Sequence, residues 1–184
     1  MAVSDQTRMA VLGALSMGPM TGYAVREQIR DALGRFWAES FGQIYPALAA
    51  LTAEGLVERR ESLRSGSSTF AITEPGSMRL RELLAEPLSP TTPRNGLLLR
   101  LFFGRQLGED AARQLVLDAR SRAVAELAEL TGIRSAVEAE AGADVPYILL
   151  TVVAGQHSAR ASISWADEAL GILDGTSPAT GLRR

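Results

Sequence analysis

Few side chains of this 184-residue sequence have the chemistry of a catalytic or metal-binding group. It contains no cysteine and one histidine, which excludes thiolate nucleophiles, thiolate metal sites and disulfides. The histidine, His157, lies in a long predicted helix, and no nucleophile–base arrangement is visible. The sequence therefore favours a binding protein over an enzyme, although a site made of carboxylates alone stays open. We expect no cofactor and no metal ion.

A short segment beginning at Ser40 has side chains suited to the base edges of DNA. Ile44, Leu48 and Leu51 recur at helical spacing and predict a buried side. The residues predicted to face away are Gln43, Pro46, Ala47 and Ala50. This face is small and uncharged, so that Gln43 could pair with adenine and Ala47 could touch a thymine methyl group. The same periodicity also fits an ordinary amphipathic helix.

Three arginines lie in or beside a predicted hairpin and could contact phosphate groups. They are Arg59, Arg60 and Arg64, and the tip of the hairpin is Ser65-Gly66-Ser67. Cationic and hydroxyl groups of this kind suit phosphate oxygens or a narrow minor groove. The alternative is a solvated loop in which the arginines pair with Glu58 and Glu61.

The elements that would position these groups follow the order of a winged helix. A first helix runs from Asp5 to Met17, and Thr21 is the predicted N-cap of a second helix containing Val25, Ile29 and Leu33. Ser40 and Gln43 form a capping-box pattern for the third helix, which ends before Gly55 and tolerates Pro46 near its start. Strands at about 56–62 and 68–73 precede a fourth helix that opens at Pro75-Gly76 and reaches about Glu86.

The second half of the chain is predicted to be helical. Residues 1–88 form the winged helix, 89–96 a proline-containing linker, and 97–184 a helical domain. The apolar run from Leu97 to Gly104 predicts a buried helix, followed by a helix from Glu109 to about Glu140. The last helix is capped by Asp144 and carries Pro146 in its first turn. It has a heptad-like seam at Leu149, Val152, Gln156, Ala159, Ile163, Ala166, Leu170 and Leu173.

Several residues of this half are candidates for an effector pocket or a dimer interface. Phe102, Phe103 and Trp165 could line a pocket between subunits or simply pack in the core. Gln156 could set the register of the helices. His157 could be a pH switch or an ordinary surface histidine.

Composition indicates a globular protein without an obvious electrostatic signal for nucleic acid. The chain is 46% hydrophobic and 22% charged, with a formal net charge of −2. Neither a signal peptide nor an apolar run of membrane-spanning length is present, so we expect a cytoplasmic protein and no membrane partner. All positive charges are arginine, and they must cluster on one face if the protein binds DNA.

Four motifs together resemble the PadR family of bacterial transcription regulators. They are Thr21-Gly22-Tyr23, the run Ile44-Tyr45-Pro46-Ala47-Leu48 with Leu51, Glu54-Gly55-Leu56, and Ile72-Thr73-Glu74-Pro75-Gly76. The resemblance covers about residues 8–86. The C-terminal half is similar to the family's variable helical arm through its LLLRLFFG segment and Trp165. The fold it implies is mainly α with a small β-hairpin: a winged helix-turn-helix followed by a C-terminal α-helical dimerisation domain.

The resemblance also implies partners. It predicts a homodimer that binds a near-palindromic operator in double-stranded DNA and represses transcription until a small-molecule effector releases it. Ser40, Gln43, Tyr45 and Pro46 would lie at the groove, with Tyr45 near a phosphate group. Further candidates are Thr21, Tyr23 and Gly42, and the wing residues Arg64 and Ser67.

One departure from the family weakens the expected wing contacts. Basic residues often precede the aromatic of the second wing strand in the family, whereas this chain has Ser67-Ser68-Thr69-Phe70. Phenylalanine also replaces the usual tyrosine there. The remaining alternative is a winged-helix adaptor that has lost DNA binding and binds another protein, which the near-neutral charge would suit.

Overall fold

The structure is a computed structural model that describes residues 4–33, 41–61, 68–88 and 95–175. It divides into two compact units, Met1–Pro90 and Thr91–Arg184. The described elements are mainly α-helical with one small antiparallel sheet, which confirms the predicted fold class. None of the helices in these segments is long and apolar enough to cross a membrane.

The described residues of the N-terminal unit form four α-helices. They are α1 (Asp5–Ser16), α2 (Gly22–Leu33), α3 (Ile44–Ala53) and α4 (Glu74–Ala85). Helix α2 begins as predicted, because the Ala24 N–H donates to Thr21 Oγ1 at 3.1 Å. The Thr73 hydroxyl caps α4 in the same way by accepting from the Gly76 N–H at 3.1 Å. Apolar side chains of α1, α2 and α3 form the core together with Val57 and Leu83.

Within the segments that the structure describes, the sheet has three strands instead of the predicted two. Strands β1 (Met20–Thr21), β2 (Val57–Glu61) and β3 (Ser68–Ile72) are antiparallel in the order β1-β3-β2. Met20 pairs with Phe70 and Thr21 with Thr69. Two residues are too few to carry an alternating pattern, so β1 could not be recognised without its partner strand.

Helix α3 begins later than the capping-box pattern predicts. A 3₁₀ turn, Phe41–Gln43, precedes it, and Gln43 at the N-cap makes no side-chain capping bond. Ser40 lies outside the described residues. Pro46 therefore occupies the first turn, where N–H groups have no partner within the helix, so its missing N–H removes no helical hydrogen bond.

The end of α3 is formed by Gly55, as predicted. Gly55 has a φ of 73°, a left-handed conformation that favours glycine. The Leu56 N–H donates to the Leu51 carbonyl at 2.9 Å, and the Gly55 N–H donates to the Thr52 carbonyl at 3.1 Å. These two bonds form a Schellman motif, which satisfies the last carbonyl groups and turns the chain into β2.

The C-terminal unit is built around two long antiparallel helices. Its elements are α5 (Gly96–Phe102), α6 (Gly104–Leu107), α7 (Glu109–Glu138) and α8 (Val145–Leu173). Buried residues of α7 repeat every seven positions, at Val116, Ala123, Leu130 and Val137. They pack against the seam of α8, which is the geometry of a short coiled coil. Ion pairs Arg113–Asp174 and Arg120–Asp167 bridge the two helices.

Two predictions for this unit are wrong. The run from Leu97 to Gly104 was expected to be a buried helix, yet α5 contributes no buried residue to the described unit, and Phe102 is 84% exposed. Asp144 occupies the N-cap of α8, but its side chain makes no capping bond. Pro146 lies in the first turn of α8, as predicted.

Candidate nucleic-acid interface

Helix α3 presents an uncharged face on the surface of the N-terminal unit. Its buried residues are Ile44, Ala47, Leu48 and Leu51. On the opposite side Tyr45 is 51% exposed, and Gly42, Pro46 and Ala49 are also exposed. Gln43, at the junction of the 3₁₀ turn and α3, is half-buried.

The prediction that Ala47 faces outward is wrong. Its exposed fraction is 0%, because positions 44, 47, 48 and 51 form one continuous helical stripe that packs into the core. Ala47 therefore cannot touch a thymine methyl group in this arrangement. Ala49 and the ring of Pro46 are the small apolar groups that the outward face offers.

Tyr45 lies against the start of α2. A Cβ atom on Gly22 would be 2.9 Å from Tyr45 Cε1 and 3.5 Å from Leu48 Cδ1. The absence of a side chain at Gly22 thus lets the Tyr45 ring lie in this place, and a methyl group there would displace the ring. Because Thr21 and the exposed Tyr23 flank Gly22, the start of α2 and the first turn of α3 form one edge of the unit. Gly22 was quoted in a motif but was not a site candidate, and its place directly after a capping threonine is the signal that could have identified it.

The wing arginines point in different directions. Arg59 and Arg60 are consecutive in β2, so their side chains lie on opposite faces of the hairpin. Arg59 Nε donates to Ser68 Oγ at 2.7 Å, which holds the guanidinium beside β3. Arg60 forms an ion pair with Glu58. This pairing is the one that the alternative of a solvated loop predicts for Arg60. The side chain of Glu61 and the candidates Arg64, Ser65, Gly66 and Ser67 lie outside the described side chains.

An ion pair lies at the far end of α3. Arg8 of α1 donates to both carboxylate oxygens of Glu54, the residue that follows α3. These hydrogen bonds hold the pKa of Glu54 below its ordinary value and raise the pKa of Arg8. Neither residue was a sequence candidate, because a contact between residues 46 positions apart leaves no local pattern.

The C-terminal candidates fall into two groups. Val152 and Gln156 are buried against α7 of the same chain. The prediction that they lie at a dimer interface or in an effector pocket is therefore wrong for these two residues. Gln156 Nε2 donates to Thr131 Oγ1 at 3.3 Å, and Gln156 Oε1 accepts from Arg134 Nη1 at 3.4 Å. The remaining candidates keep some exposed surface. His157, Phe102 and Phe103 are exposed, whereas Leu149, Ile163, Trp165 and Leu170 are half-buried.

Phe102 and Phe103 also contact each other. Their ring centroids lie 5.1 Å apart with an interplanar angle of 87°, an edge-to-face contact.

The described residues contain no cluster of carboxylates and histidine that could hold a metal ion. The candidate site is a surface of helix, wing and backbone groups.

A three-helix unit with an antiparallel wing and an exposed third helix defines the class of winged-helix DNA-binding proteins. Residues 11–82 match the transcriptional regulator PadR-like family, and residues 93–174 match the family described as virulence activator alpha C-term. Residues 11–82 therefore form a domain of the PadR-like transcriptional regulator type. Members of this family regulate transcription by binding DNA and are not enzymes.

Relatives match nearly the whole chain. The negative transcriptional regulator PadR of Bacillus subtilis is 26% identical over an alignment of 178 residues that covers 91% of this chain and 97% of the relative. A solved structure of B. subtilis PadR in complex with operator DNA is similar, with a TM-score of 0.80, 25% identity, and coverage of 91% of this chain and 98% of that chain. The same regulator in complex with p-coumaric acid has a TM-score of 0.76 and 25% identity, with coverage of 95% of this chain and 99% of that chain.

Proposed function

We propose that this regulator is a homodimer that binds a near-palindromic operator through the first turn of α3 and represses transcription until a small molecule releases it. The observation that carries the proposal is the exposed, uncharged turn formed by Gly42, Gln43, Tyr45 and Pro46 above a buried apolar stripe. With no charged side chain between Ile44 and Ala53, the backbone of this turn can approach base edges closely.

The contacts divide into two kinds. In this proposal Gln43 reads a base edge, whereas Thr21, Tyr23 and Tyr45 contact phosphate oxygens beside it. Arg59, Arg60 and the wing residues 64–67 supply the phosphate contacts on the flank. Because Arg60 is already paired with Glu58, it contributes less positive charge than Arg59 does.

Exposed apolar groups of the C-terminal unit support a homodimer. Leu99, Phe102 and Phe103 are exposed on and beside α5, and Tyr147 and Leu150 are exposed on α8. Burial of such side chains against a second copy would remove apolar surface from water at about 25 cal/mol per Å². A dimer would present two copies of α3 to adjacent major grooves about 34 Å apart, which is the spacing a near-palindromic operator requires.

Repression and its release are proposed from the relatives. The B. subtilis relative is named a negative regulator, and its structure has been solved with p-coumaric acid as well as with operator DNA. An effector of this chain would use Trp165, Phe102 and Phe103, whose rings offer apolar surface to a small organic molecule. A cytoplasmic location would give such a regulator access to the chromosome.

The test selects duplexes from a random pool with the wild-type protein and then compares variants on the selected and a scrambled duplex. We expect Gln43→Ala to lower the affinity for the selected duplex and leave the scrambled duplex nearly unchanged, because an amide lost from a base edge costs discrimination. Arg64→Ala should weaken both alike and reduce the salt dependence. Equal losses for Gln43→Ala on both duplexes would contradict the assignment. No retention of the wild type on any duplex at low salt would favour the adaptor.

A further inference from the structure

The end of α3 that lies away from the proposed DNA contacts is attached to α1 by a directional contact. Arg8 is in the first turn of α1, and its Nη1 donates to Glu54 Oε1 at 2.9 Å while Nη2 pairs with Oε2. A bidentate pair of this kind restricts the relative orientation of its two planar groups. The Arg8 side chain is only 17% exposed, so it is held in place by its surroundings, whereas that of Glu54 is 44% exposed.

Glu54 is unfavourable for its own helix. It is the C-cap residue of α3, at the negative end of the helix dipole, where a cation stabilises and a carboxylate destabilises. Its partner offsets this cost, because the guanidinium of Arg8 brings a positive charge to the same helix end. The segment Ile44–Ala53 has no charged side chain, so Glu54 is the charged group through which α3 contacts α1.

The other described contacts of α3 with the core are made by apolar side chains. Ile44, Leu48 and Leu51 keep the helix on the core, and the ion pair of Arg8 with Glu54 adds a directional contact at the C-terminal end of the helix. The proposed reading end at Gln43 lies roughly 16–17 Å from Glu54, at a rise of about 1.5 Å per residue. A small change of orientation at one end of α3 therefore displaces the base-reading amide at the other end.

We infer that Arg8 is a positioning residue that, through Glu54, sets the orientation of α3 on DNA and so contributes to sequence discrimination without contacting a base. This inference rests on the proposed function. A residue that sets orientation affects the affinity for the correct duplex more than the affinity for an unrelated one, because phosphate contacts tolerate small displacements and base contacts do not.

The experiment measures Kd for two duplexes, one selected from a random pool by the wild type and one scrambled version of it. The variants are Arg8→Ala, Glu54→Gln and the double variant. Arg81→Ala is the matched control, because its ion pair with Glu74 joins residues of a single helix, α4. We expect each single variant to lower the ratio of the two affinities about fivefold, the double variant to lower it no further, and the control to leave it unchanged.

The two single variants separate positioning from simple charge. Arg8→Ala removes a positive charge and Glu54→Gln a negative one, so long-range attraction to phosphate would change their affinities in opposite directions on both duplexes and leave the ratio unchanged. That outcome, or additive losses in the double variant, would overturn the inference. If Arg8→Ala proves unstable, Arg8→Lys takes its place, because lysine keeps the charge without the bidentate geometry. We expect its ratio of the two affinities to lie between that of the wild type and that of Glu54→Gln. A wild type that selects no duplex would overturn the proposed function together with this inference.

Discussion

The strongest prediction for stability concerns Gly76→Ala. A Cβ atom at this position would lie 2.0 Å from the backbone oxygen of Leu56 and 2.9 Å from Ile72 Cγ1. The first distance is far inside van der Waals contact, and a backbone oxygen cannot rotate away as the end of a side chain can. Relief of the clash therefore requires the start of α4 to move away from the segment that leads into β2.

The displacement breaks identifiable hydrogen bonds. The Leu56 oxygen accepts from the Thr73 N–H at 3.1 Å, and the Thr73 hydroxyl caps α4 through the Gly76 N–H. Each of these bonds is worth about 1 kcal/mol, and overpacking adds about 1–3 kcal/mol. Alanine gains about 1 kcal/mol over glycine inside a helix, which is smaller than these losses. We expect Gly76→Ala to lower the free energy of unfolding by about 2–4 kcal/mol.

Gly13→Ala is the matched control in the same unit. Gly13 lies within α1, and no atom is within 4 Å of the position its Cβ would take. The helix-propensity gain then acts alone, and the free energy of unfolding should rise by about 0.5–1 kcal/mol.

Urea denaturation followed by circular dichroism measures both variants. Both substitutions lie in the N-terminal unit and should affect the same transition, even if the two units unfold separately. The reasoning would be refuted if Gly76→Ala changed the free energy of unfolding by less than about 1 kcal/mol, or if both variants destabilised the unit equally.

Other substitutions probe different parts of the chain. Gln156→Leu should leave the C-terminal unit equally stable or raise its free energy of unfolding by about 1 kcal/mol, because the replaced hydrogen bonds are long; calorimetry that shows a clear loss would contradict this. Because the pKa of Glu54 is lowered from its ordinary value of 4.5, the ion pair stabilises the fold at pH values above 4.5, and this stabilisation is lost as the pH falls. The difference in free energy of unfolding between the wild type and Glu54→Gln should therefore shrink between about pH 5 and pH 3 in urea titrations. Phe102→Asp should shift the proposed dimer toward monomer in sedimentation experiments, and an unchanged mass would exclude α5 from the interface. Gly22→Ala should displace the Tyr45 ring and weaken binding to all duplexes with a small change in melting temperature; unchanged binding would remove that ring from the phosphate contacts.

Local features of the N-terminal unit could be predicted from the sequence because they depend on neighbouring residues. Thr21 caps α2 through the N–H three positions later, and Gly55 ends α3 through bonds that span one turn. The hydrophobic period of α3 correctly placed Ile44, Leu48 and Leu51 in the core. These features lie within the reach of helical periodicity and capping rules.

Features that depend on which elements meet in space could not be predicted in this way. Ala47 was predicted to face outward, and the packing of α3 on the core decided otherwise, because the residue is 0% exposed. The seam of α8 was recognised, but the sequence could not say that α7 of the same chain fills it, since any apolar partner satisfies the same pattern.

Sequence alone thus determined the order of α1 to α4 with β2 and β3, the cap at Thr21 and the helix end at Gly55, all of which follow from interactions over a few residues. Tertiary structure decided the third strand, the exposure of Phe102 and the pairing of Arg8 with Glu54. Each of these three depends on residues distant in the chain or on apolar surface left uncovered within a unit. The interactions that decide these features form only when separate elements pack together, and no local sequence pattern encodes that packing.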